Sequence, residues 1–435
     1  MKPLFRSVGP AIIVAAIVLG PGSILTSSKV GATFGLVGLP VVAVATVLMI
    51  AMVALAARLG VVYENSLCDE LASRLGRGVA VAIGLTLFVL VAFFQSSNNI
   101  ALIGGLEPMF GDTPLPFGVR AALLVAVNGV VIASLYLLRN LYGSIESMMK
   151  ILIGLMTIAF LFNFIQIFLN PPEVVNAAAA LPDATTDNRD WLALMGMIGT
   201  TFSVGGAFYQ GYLVKEKGWG LSQAREGVVD SFISISVLGM VTAMILLTSW
   251  KVFYGRAEPV QFDSVGDVAK QLEPLFGSAA KIIFCLGILA GGLSSFLVNA
   301  LIGGTVMSDS LGKGSKLSDK WPLHLTTSAL VVGMVVAIAS MARSGSTVHL
   351  ITLAQALTVL GIPALAAALI YLGTRKELTG PRRVPKWMIV IASIGFCVAC
   401  VSACMTASKV YQKLNTPAVA ASEVSSSDLQ SESEK

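Results

Sequence analysis

Residues 17–34 read IVLGPGSILTSSKVGATF, and this short passage sets the architecture that we expect for the whole chain. It lies inside an apolar run long enough to cross a bilayer, yet Gly20-Pro21-Gly22-Ser23 interrupts helical hydrogen bonding near the middle of that run. Backbone groups released there need partners in a cavity or on a ligand, because hydrocarbon offers none. The passage therefore predicts a broken transmembrane helix.

A second interruption occurs at Ser203-Val204-Gly205-Gly206, inside the sixth apolar run, with Gln210 a turn further on. A glycine in a membrane helix often serves only close packing. Two interruptions at matching places favour a different interpretation, in which spans 1–5 and spans 6–10 are inverted repeats. The ends of the half-helices would then meet at a central binding site in the membrane.

Composition places the rest of the chain in the bilayer as well. Of the 435 residues, 55% are hydrophobic and only 12% are charged, and the mean hydropathy is +0.83. The apolar runs are roughly 20 residues long, which suits helices rather than an outer-membrane barrel. Eleven spans are predicted: Val8–Phe34, Leu39–Ala57, Val79–Ile103, Val119–Leu138, Ser147–Leu169, Trp191–Val214, Val228–Trp250, Ala279–Ile302, Leu323–Met341, His349–Leu372 and Trp387–Met405.

The distribution of charge predicts how the chain is oriented. With the N-terminus in the cytoplasm, most of the 29 Lys and Arg residues fall on the cytoplasmic side, as the positive-inside rule requires. We therefore expect a multi-pass protein of the inner (plasma) membrane with its C-terminus outside. Residues 1–415 are expected to form a single transmembrane domain, and the Ser- and Glu-rich residues 416–435 a disordered polar tail.

Several segments resemble one known family of transporters. The first break, with its flanks Gly9-Pro10-Ala11 and Gly31-Ala32-Thr33-Phe34-Gly35, is similar to the first helix of the NRAMP (natural resistance-associated macrophage protein) metal-ion transporters. Residues 198–205 resemble the sixth helix of that family, and Gln355 with Gly361-Ile362-Pro363 resembles the tenth. The resemblance covers nearly the whole chain. It implies an all-α integral membrane protein of about eleven helices in a LeuT-like arrangement, with helices 1 and 6 broken.

The chain departs from the NRAMP pattern at the functional positions. The metal-binding Asp and Asn of the first helix and the Met and His of the sixth fall on Gly20, Ser23, Ser203 and Gly205. The groups that the family uses for proton movement fall on Gln210, Asn98 and Ala101. Every ionisable group of the family's site is therefore replaced by a neutral one, and family-type proton coupling is not expected.

The residues that we expect at the site are neutral apart from one lysine. A bare divalent ion prefers oxygen ligands that include a carboxylate, so a metal cargo is expected to pass as a largely hydrated ion. Ser23, Ser203 and Gln355 are candidate metal ligands through weak or water-mediated contacts. The full predicted substrate-binding set is Gly20, Gly22, Ser23, Thr26, Lys29, Asn98, Ser203, Gly205, Gln210 and Gln355.

Lys29 keeps a second interpretation open. An intramembrane lysine is costly, and together with the half-helix N-termini it would suit a small anion or carboxylate such as bicarbonate. Alternatively, its side chain snorkels to the interface. Transport of a hydrated metal ion such as magnesium or manganese leads by descent, and anion transport is the alternative. A non-transporting membrane sensor ranks last, because no large soluble domain is present to relay a signal.

Other functional classes find no support in the sequence. The chain has no nucleophile elbow, metal-ligand cluster or phosphate loop, so we do not expect an enzyme. No cofactor and no nucleic acid partner is expected. The expected partners are a small inorganic ion or solute and the lipid bilayer, and the protein is expected to be a monomer.

Overall fold

A computed structural model describes the backbone of residues 9–111, 113, 115–138, 140–169, 191–255, 265–342 and 346–415. Within these ranges, the side chains of residues 191–192, 265–278, 280, 346–358 and 409–415 are not described. The predicted polar tail, residues 416–435, and the side chain of Gln355 therefore lie outside the described part of the protein.

The described backbone folds into fourteen α-helices and contains no strand. In chain order they are α1 (Pro10–Val18), α2 (Pro21–Phe34), α3 (Gly38–Val62), α4 (Leu67–Leu75), α5 (Arg77–Phe110), α6 (Phe117–Leu137), α7 (Leu141–Leu169), α8 (Trp191–Thr201), α9 (Val204–Glu216), α10 (Ala224–Phe253), α11 (Val265–Ser310), α12 (Lys320–Met341), α13 (Ser346–Gly373) and α14 (Lys386–Asn415). Single 3-10 turns lie at Gly35–Val37, Leu221–Gln223 and Gly380–Arg382.

The eleven predicted spans are recovered, and the first and sixth are each split into two helices. The first span becomes α1 and α2, and the sixth becomes α8 and α9. Eight described stretches are long and apolar enough on their own to cross a membrane, one of them joining α2 to α3. The half-helices are too short to qualify alone, and α13 contributes the shorter apolar segment Val359–Gly373. The predicted all-helical class with two broken helices is confirmed.

Pro21 explains the first break. It is the first residue of α2 and has no N–H group to donate to the Ile17 carbonyl four residues earlier. Leu19 has a non-helical ψ of 37°, so the N–H of Gly20 does not continue the α1 ladder, and Gly20 itself is extended (φ −79°, ψ 175°). The break is shorter than the four residues predicted, because α2 begins at once and both Gly22 and Ser23 are helical.

Ser203 marks the second break, with φ −80° and ψ 88° between α8 and α9. The sequence places four residues in this break, Ser203 to Gly206. In the structure only Phe202 and Ser203 separate the helices, and Gly205 and Gly206 belong to the first turn of α9. Gly205 and Gly206 therefore do not extend the break, since both lie within α9.

Two helical segments were not predicted. The short helix α4 lies between α3 and α5, and the Ser66 hydroxyl caps it by accepting the Asp69 N–H. α11 begins at Val265, between the predicted spans Val228–Trp250 and Ala279–Ile302. Both segments carry charged residues. They therefore lack the continuous apolar run by which a membrane-spanning helix is predicted from sequence.

Contacts between helices follow the twofold relation expected of inverted repeats. α2 packs on α10, and its counterpart α9 packs on α3. Similarly, α5 packs on α13, and its counterpart α11 packs on α7. The most extensive contact joins α5 to α11, the third span of each repeat. α14, which has no counterpart, packs on the outside against α13 and α3.

Burial differs from that of a water-soluble protein, because the outer helix faces are apolar while several amides lie in the interior. Large apolar side chains such as Val130, Leu137 and Ile151 are at least 70% exposed on outer helix faces, whereas the amides of Gln95 and Asn99 are fully buried. Lipid tails solvate the exposed apolar faces, and polar groups must find partners inside the bundle. The protein is therefore a multi-pass membrane protein.

Candidate functional site

The two helix breaks open onto one cavity of about 60 Å³, enough room for a small ion or a few water molecules. Its polar side chains are Ser23, Thr200, Ser203 and Asn299. Its apolar wall comes from α1 (Ile17, Val18), α5 (Leu87, Leu90, Val91, Phe94), α9 (Val204), α11 (Ile302) and α13 (Ile362, Leu365). The glycines that line it are Gly20, Gly199, Gly205 and Gly206.

Four of the ten predicted site residues line this cavity, namely Gly20, Ser23, Ser203 and Gly205. The side chain of Gln355 lies outside the described residues. The other five predicted residues are not in the lining: Gly22, Thr26, Lys29, Asn98 and Gln210.

Thr26 lies one layer behind the cavity wall. Its hydroxyl donates to the Gly22 carbonyl at 2.8 Å and lies 3.4 Å from Oγ1 of Thr200, which does line the cavity. Lys29, two turns further along α2 than the lining residue Ser23, is partly exposed and forms no ion pair with another described residue. Lys29 is therefore not one of the described residues that line the cavity.

Asn98 lies one turn beyond the part of α5 that lines the cavity. Its amide donates to Oε1 of Gln95 at 3.0 Å, within a set of buried amides in which Asn128 of α6 donates to Asn99 at 2.7 Å. Gln210 is fully buried in α9, and neither its Nε2 nor its Oε1 has a hydrogen-bond partner among the described residues. Such an amide is a place for an ordered water rather than part of the cavity wall.

The helix ends at the cavity differ in how their backbone groups are satisfied. At the end of α1, the Ala16 carbonyl accepts from Ser294 Oγ at 2.8 Å, and the Ile17 carbonyl accepts from Ser295 Oγ at 2.5 Å. At the end of α8, the carbonyls of residues 199–201 accept no hydrogen bond from another described residue. α2 and α9 begin at the cavity without a side-chain cap. The cavity is thus bordered by free carbonyls of α8 and by the positive ends of two helix dipoles.

Among the described residues, no titratable side chain lines the cavity. Nowhere in the described side chains do three His, Cys, Asp or Glu residues come together as a metal-binding group. The Ser23 hydroxyl and Asn299 Nδ2 have no hydrogen-bond partner within the described part of the chain, so both are available to a bound solute or water. The site offers uncharged dipoles only, and a bare divalent ion would lack a neutralising carboxylate.

A second cavity, of about 630 Å³, lies at the end of the bundle that carries Arg74, Lys215 and Lys217, which we term the basic end. Lys215 lines it and donates to the carbonyls of Tyr63 and Glu64 at 2.6 and 3.1 Å. Burial lowers the pKa of Lys215 and raises the pKa of its neighbour Glu216. Further lining residues are Gly60, Val61, Ser66, Tyr212, Gly218, Trp219, Gly220, Ser315 and Lys316.

Asp309 bonds to two residues that line this second cavity, Ser66 and Tyr212. Its carboxylate accepts from the hydroxyls of Ser66 at 2.6 Å and Tyr212 at 2.7 Å, and from the Cys68 N–H at 3.2 Å. These bonds tie the end of α11 to the half-helix α9 and to the start of α4. Asp309 therefore has a structural role in joining three helices.

Sequence reasoning missed Thr200, Asn299, Ser294 and Ser295. Asn299 and the adjacent serines are polar residues within the apolar run of α11, which is a signal for a buried polar role. The hydrogen-bond partners of Ser294 and Ser295 lie 278 residues earlier in the chain, on α1, and no local sequence pattern indicates that pairing.

Comparison with known proteins establishes the family. The chain matches the family model described as natural resistance-associated macrophage protein-like over residues 11–408. It belongs to the Nramp family. This Nramp chain is 23% identical over 399 residues to the divalent metal cation transporter MntH of Xylella fastidiosa (strain 9a5c), covering 89% of this chain and 82% of the relative. It is 25% identical over 397 residues to MntH of Brucella suis biovar 1 (strain 1330), with coverages of 89% and 84%.

Solved structures support the same fold. The Eremococcus coleocola manganese transporter superposes with a TM-score of 0.76 at 20% identity, covering 98% of this Nramp chain and 91% of that protein. MHP1, a nucleobase-cation-symport-1 family transporter, superposes with a TM-score of 0.52 at 14% identity over 92% of this chain and 93% of its own. The LeuT-like arrangement implied by the resemblance is thus confirmed.

Proposed function

We propose that this Nramp protein is a secondary transporter that carries a small metal ion across the membrane, as a hydrated divalent ion such as magnesium or manganese. The observation that carries the proposal is the cavity shared by both helix breaks, in which every described polar lining residue is uncharged. The relatives named divalent metal cation transporters support a divalent cargo.

The retained water follows from the chemistry of the lining. Hydroxyls, an amide and the carbonyls released by α8 can accept hydrogen bonds from coordinated water, but they offset little of a double charge. No described lining residue is Met or Cys, so the known part of the wall has no thioether or thiolate that would favour a soft ion. We therefore propose that magnesium and manganese are accepted with similar affinity.

The remaining proposals concern the whole chain. Residues 1–415 form one transmembrane domain with a polar tail at 416–435, and the protein acts as a monomer. It lies in the inner membrane with the basic end toward the cytoplasm and with the N-terminus inside and the C-terminus outside, as the positive-inside rule favours. Family-type proton coupling is absent.

Uptake into proteoliposomes, followed with a metal-sensitive dye and a radiotracer, tests the cargo. Replacing Ser23 by Ala should raise the KM for manganese and magnesium about 2- to 10-fold, because one hydrogen-bonding group is lost from the cavity. Ser27→Ala is the matched control, since Ser27 is a buried serine of the same helix that does not line the cavity. Metal uptake no greater than in empty liposomes, or equal KM values for the two variants, would count against the proposal.

A small anion is the second candidate, and one feature favours it. The uncapped N-termini of α2 and α9 both begin at the cavity, where their partial positive charge suits an anion. Lys29 adds nothing to this argument unless its side chain reaches the cargo. For a metal cargo, Lys29→Ala and Lys29→Gln should transport as well as wild type or better. Bicarbonate uptake that falls in both variants would replace the metal proposal with the anion one.

A further inference from the structure

Two serines of α11 replace the two hydrogen bonds that the first break removes. In an unbroken helix, the N–H of residue 20 would bond to the Ala16 carbonyl and that of residue 21 to the Ile17 carbonyl. The helix α1 ends before Leu19, whose ψ is non-helical, and Pro21 has no N–H, so both carbonyls are released. Ser294 and Ser295 donate to these same two carbonyls, and both serines are fully buried.

Ser295 also fills the space beside Gly20. A Cβ atom added at Gly20 would lie 2.2 Å from Ser295 Oγ and 2.9 Å from Ser295 Cβ, well inside van der Waals contact. The backbone is just as close nearby, because a Cβ at Gly291 would lie 2.5 Å from the Leu19 carbonyl oxygen. With α11 held this close to α1, a side chain at position 20 would force Ser295 to shift.

We infer that Ser295 is a specificity-determining residue that keeps the cargo from direct coordination at the end of α1. It occupies the Ile17 carbonyl and fills the space beside Gly20, although both Ile17 and Gly20 line the cavity. The inference rests on the proposed function, since it names what holds a metal cargo in its hydrated form.

The physical basis is the competition between protein oxygens and water for the ion. A divalent ion gives up its water only to several oxygen ligands, preferably with a carboxylate among them. A carbonyl oxygen that already accepts a hydrogen bond from a hydroxyl is a poorer ligand for a metal ion. Glycine supplies no ligand side chain. Removing Ser295 therefore frees a carbonyl and opens the space in which a carboxylate at position 20 would fit.

Manganese binding to purified protein, measured by the EPR signal of free Mn²⁺, tests the inference. Gly20→Asp/Ser295→Gly should bind Mn²⁺ about tenfold or more tightly than wild type, because the cavity gains a carboxylate in place of a hydroxyl donor. Gly20→Asp alone should melt at a lower temperature than wild type and gain less affinity, since its Cβ meets Ser295.

Ser294 supplies the matched control. It caps the neighbouring Ala16 carbonyl, but Ala16 is not among the lining residues, and the atoms nearest a Cβ at Gly20 belong to Ser295 and Ile17. Gly20→Asp/Ser294→Gly should therefore bind Mn²⁺ no more tightly than Gly20→Asp alone. If the Ser295 double variant melts with wild type and binds no more Mn²⁺ than wild type, or if the Ser294 double variant gains as much, the inference is wrong.

A single substitution covers the case in which neither double variant folds. Ser295→Ala frees the Ile17 carbonyl without adding a charge and should bind Mn²⁺ a few-fold more tightly than wild type, whereas Ser294→Ala should not. Equal affinities would overturn the inference. Wild-type uptake of manganese and magnesium, measured on the same preparation, tests the proposed function separately. A wild type that moves neither metal refutes that function, while tight binding by the Ser295 variants still supports the role of Ser295.

Discussion

Asp230 is a buried carboxylate on α10 that holds the start of α1. Its Oδ1 accepts the Gly9 N–H and its Oδ2 accepts the Ala11 N–H, both at 2.8 Å, and Ser234 Oγ donates to Oδ1 at 3.1 Å. Gly9, the residue at the N-cap of α1, has no side chain that could satisfy these N–H groups. The cap is therefore supplied by another helix, 219 positions further along the chain in the case of Ala11.

Removing this carboxylate should destabilise the protein. Asp230→Ala leaves two buried N–H groups without partners and should lower the free energy of unfolding by about 1.5–3 kcal/mol, the range for hydrogen bonds to a charged group. Asp230→Asn keeps one acceptor and should lose less. The measurement is denaturant or thermal unfolding in detergent. Glu226→Ala, one turn earlier on the exposed face of α10, serves as the control, and equal stability of the two Ala variants would contradict the prediction.

At the scale of helices, α3 and α9 make a backbone-to-backbone contact that depends on glycine. A Cβ at Gly60 would lie 2.5 Å from the Gly211 carbonyl oxygen and 2.9 Å from its Cα. These are main-chain atoms, which cannot rotate away as the end of a side chain can. The half-helix α9, which lines part of the cavity, can thus pack directly against α3 because Gly60 and Gly211 have no side chains.

Gly60→Ala should therefore push α9 away from α3 and lower stability by about 1–3 kcal/mol, the usual cost of overpacking. The control is Gly129→Ala on α6, where an added Cβ meets nothing within 4 Å and the helix should gain up to about 1 kcal/mol. Melting temperatures of the two variants should shift in opposite directions. A Gly60→Ala protein as stable as wild type would show that the contact yields easily.

The breaks could be predicted at this scale because their causes are local. Pro21 lacks an N–H wherever it stands in a helix, and the glycines beside Ser203 weaken the next turn. Which side chains line the cavity depends instead on how each helix is rotated about its axis. α5 turns Leu87, Val91 and Phe94 to the cavity while Asn98 bonds within α5, and nothing near Asn98 in the sequence indicates that rotation.

For the whole molecule, membrane class, span number and inverted repeat could be read from composition and from the two breaks. The second cavity and the links between distant helices could not, because contacts such as those of Asp309 join residues up to 243 positions apart. Helical chain outside the hydrocarbon, as in α4, lacks the apolar pattern that reveals a span.

Transport should proceed without movement of protons. Asn98, Ala101 and Gln210 have no group that exchanges a proton near neutral pH. Manganese uptake into liposomes that contain a pH-sensitive dye should therefore leave the internal pH unchanged, while a protonophore control confirms that the dye responds. Acidification that accompanies uptake and disappears on substitution of Asn98 or Gln210 would overturn this expectation.

The short helix α1 is held at both ends by hydrogen bonds to side chains of other helices. Asp230 holds its start through Gly9 and Ala11, and two serine hydroxyls hold its finish. A transporter that exposes its cavity first to one side and then to the other has to move such helices. A helix held at both ends can tilt only after the hydrogen bonds at one end break. Loss of the bonds at Gly9 would free the end of α1 that lies at the basic end of the bundle. Loss of the bond at Ile17 would change the cavity wall beside the cargo. If the protein transports a cargo as proposed, the order in which these two attachments break would set the order in which the two ends of α1 move.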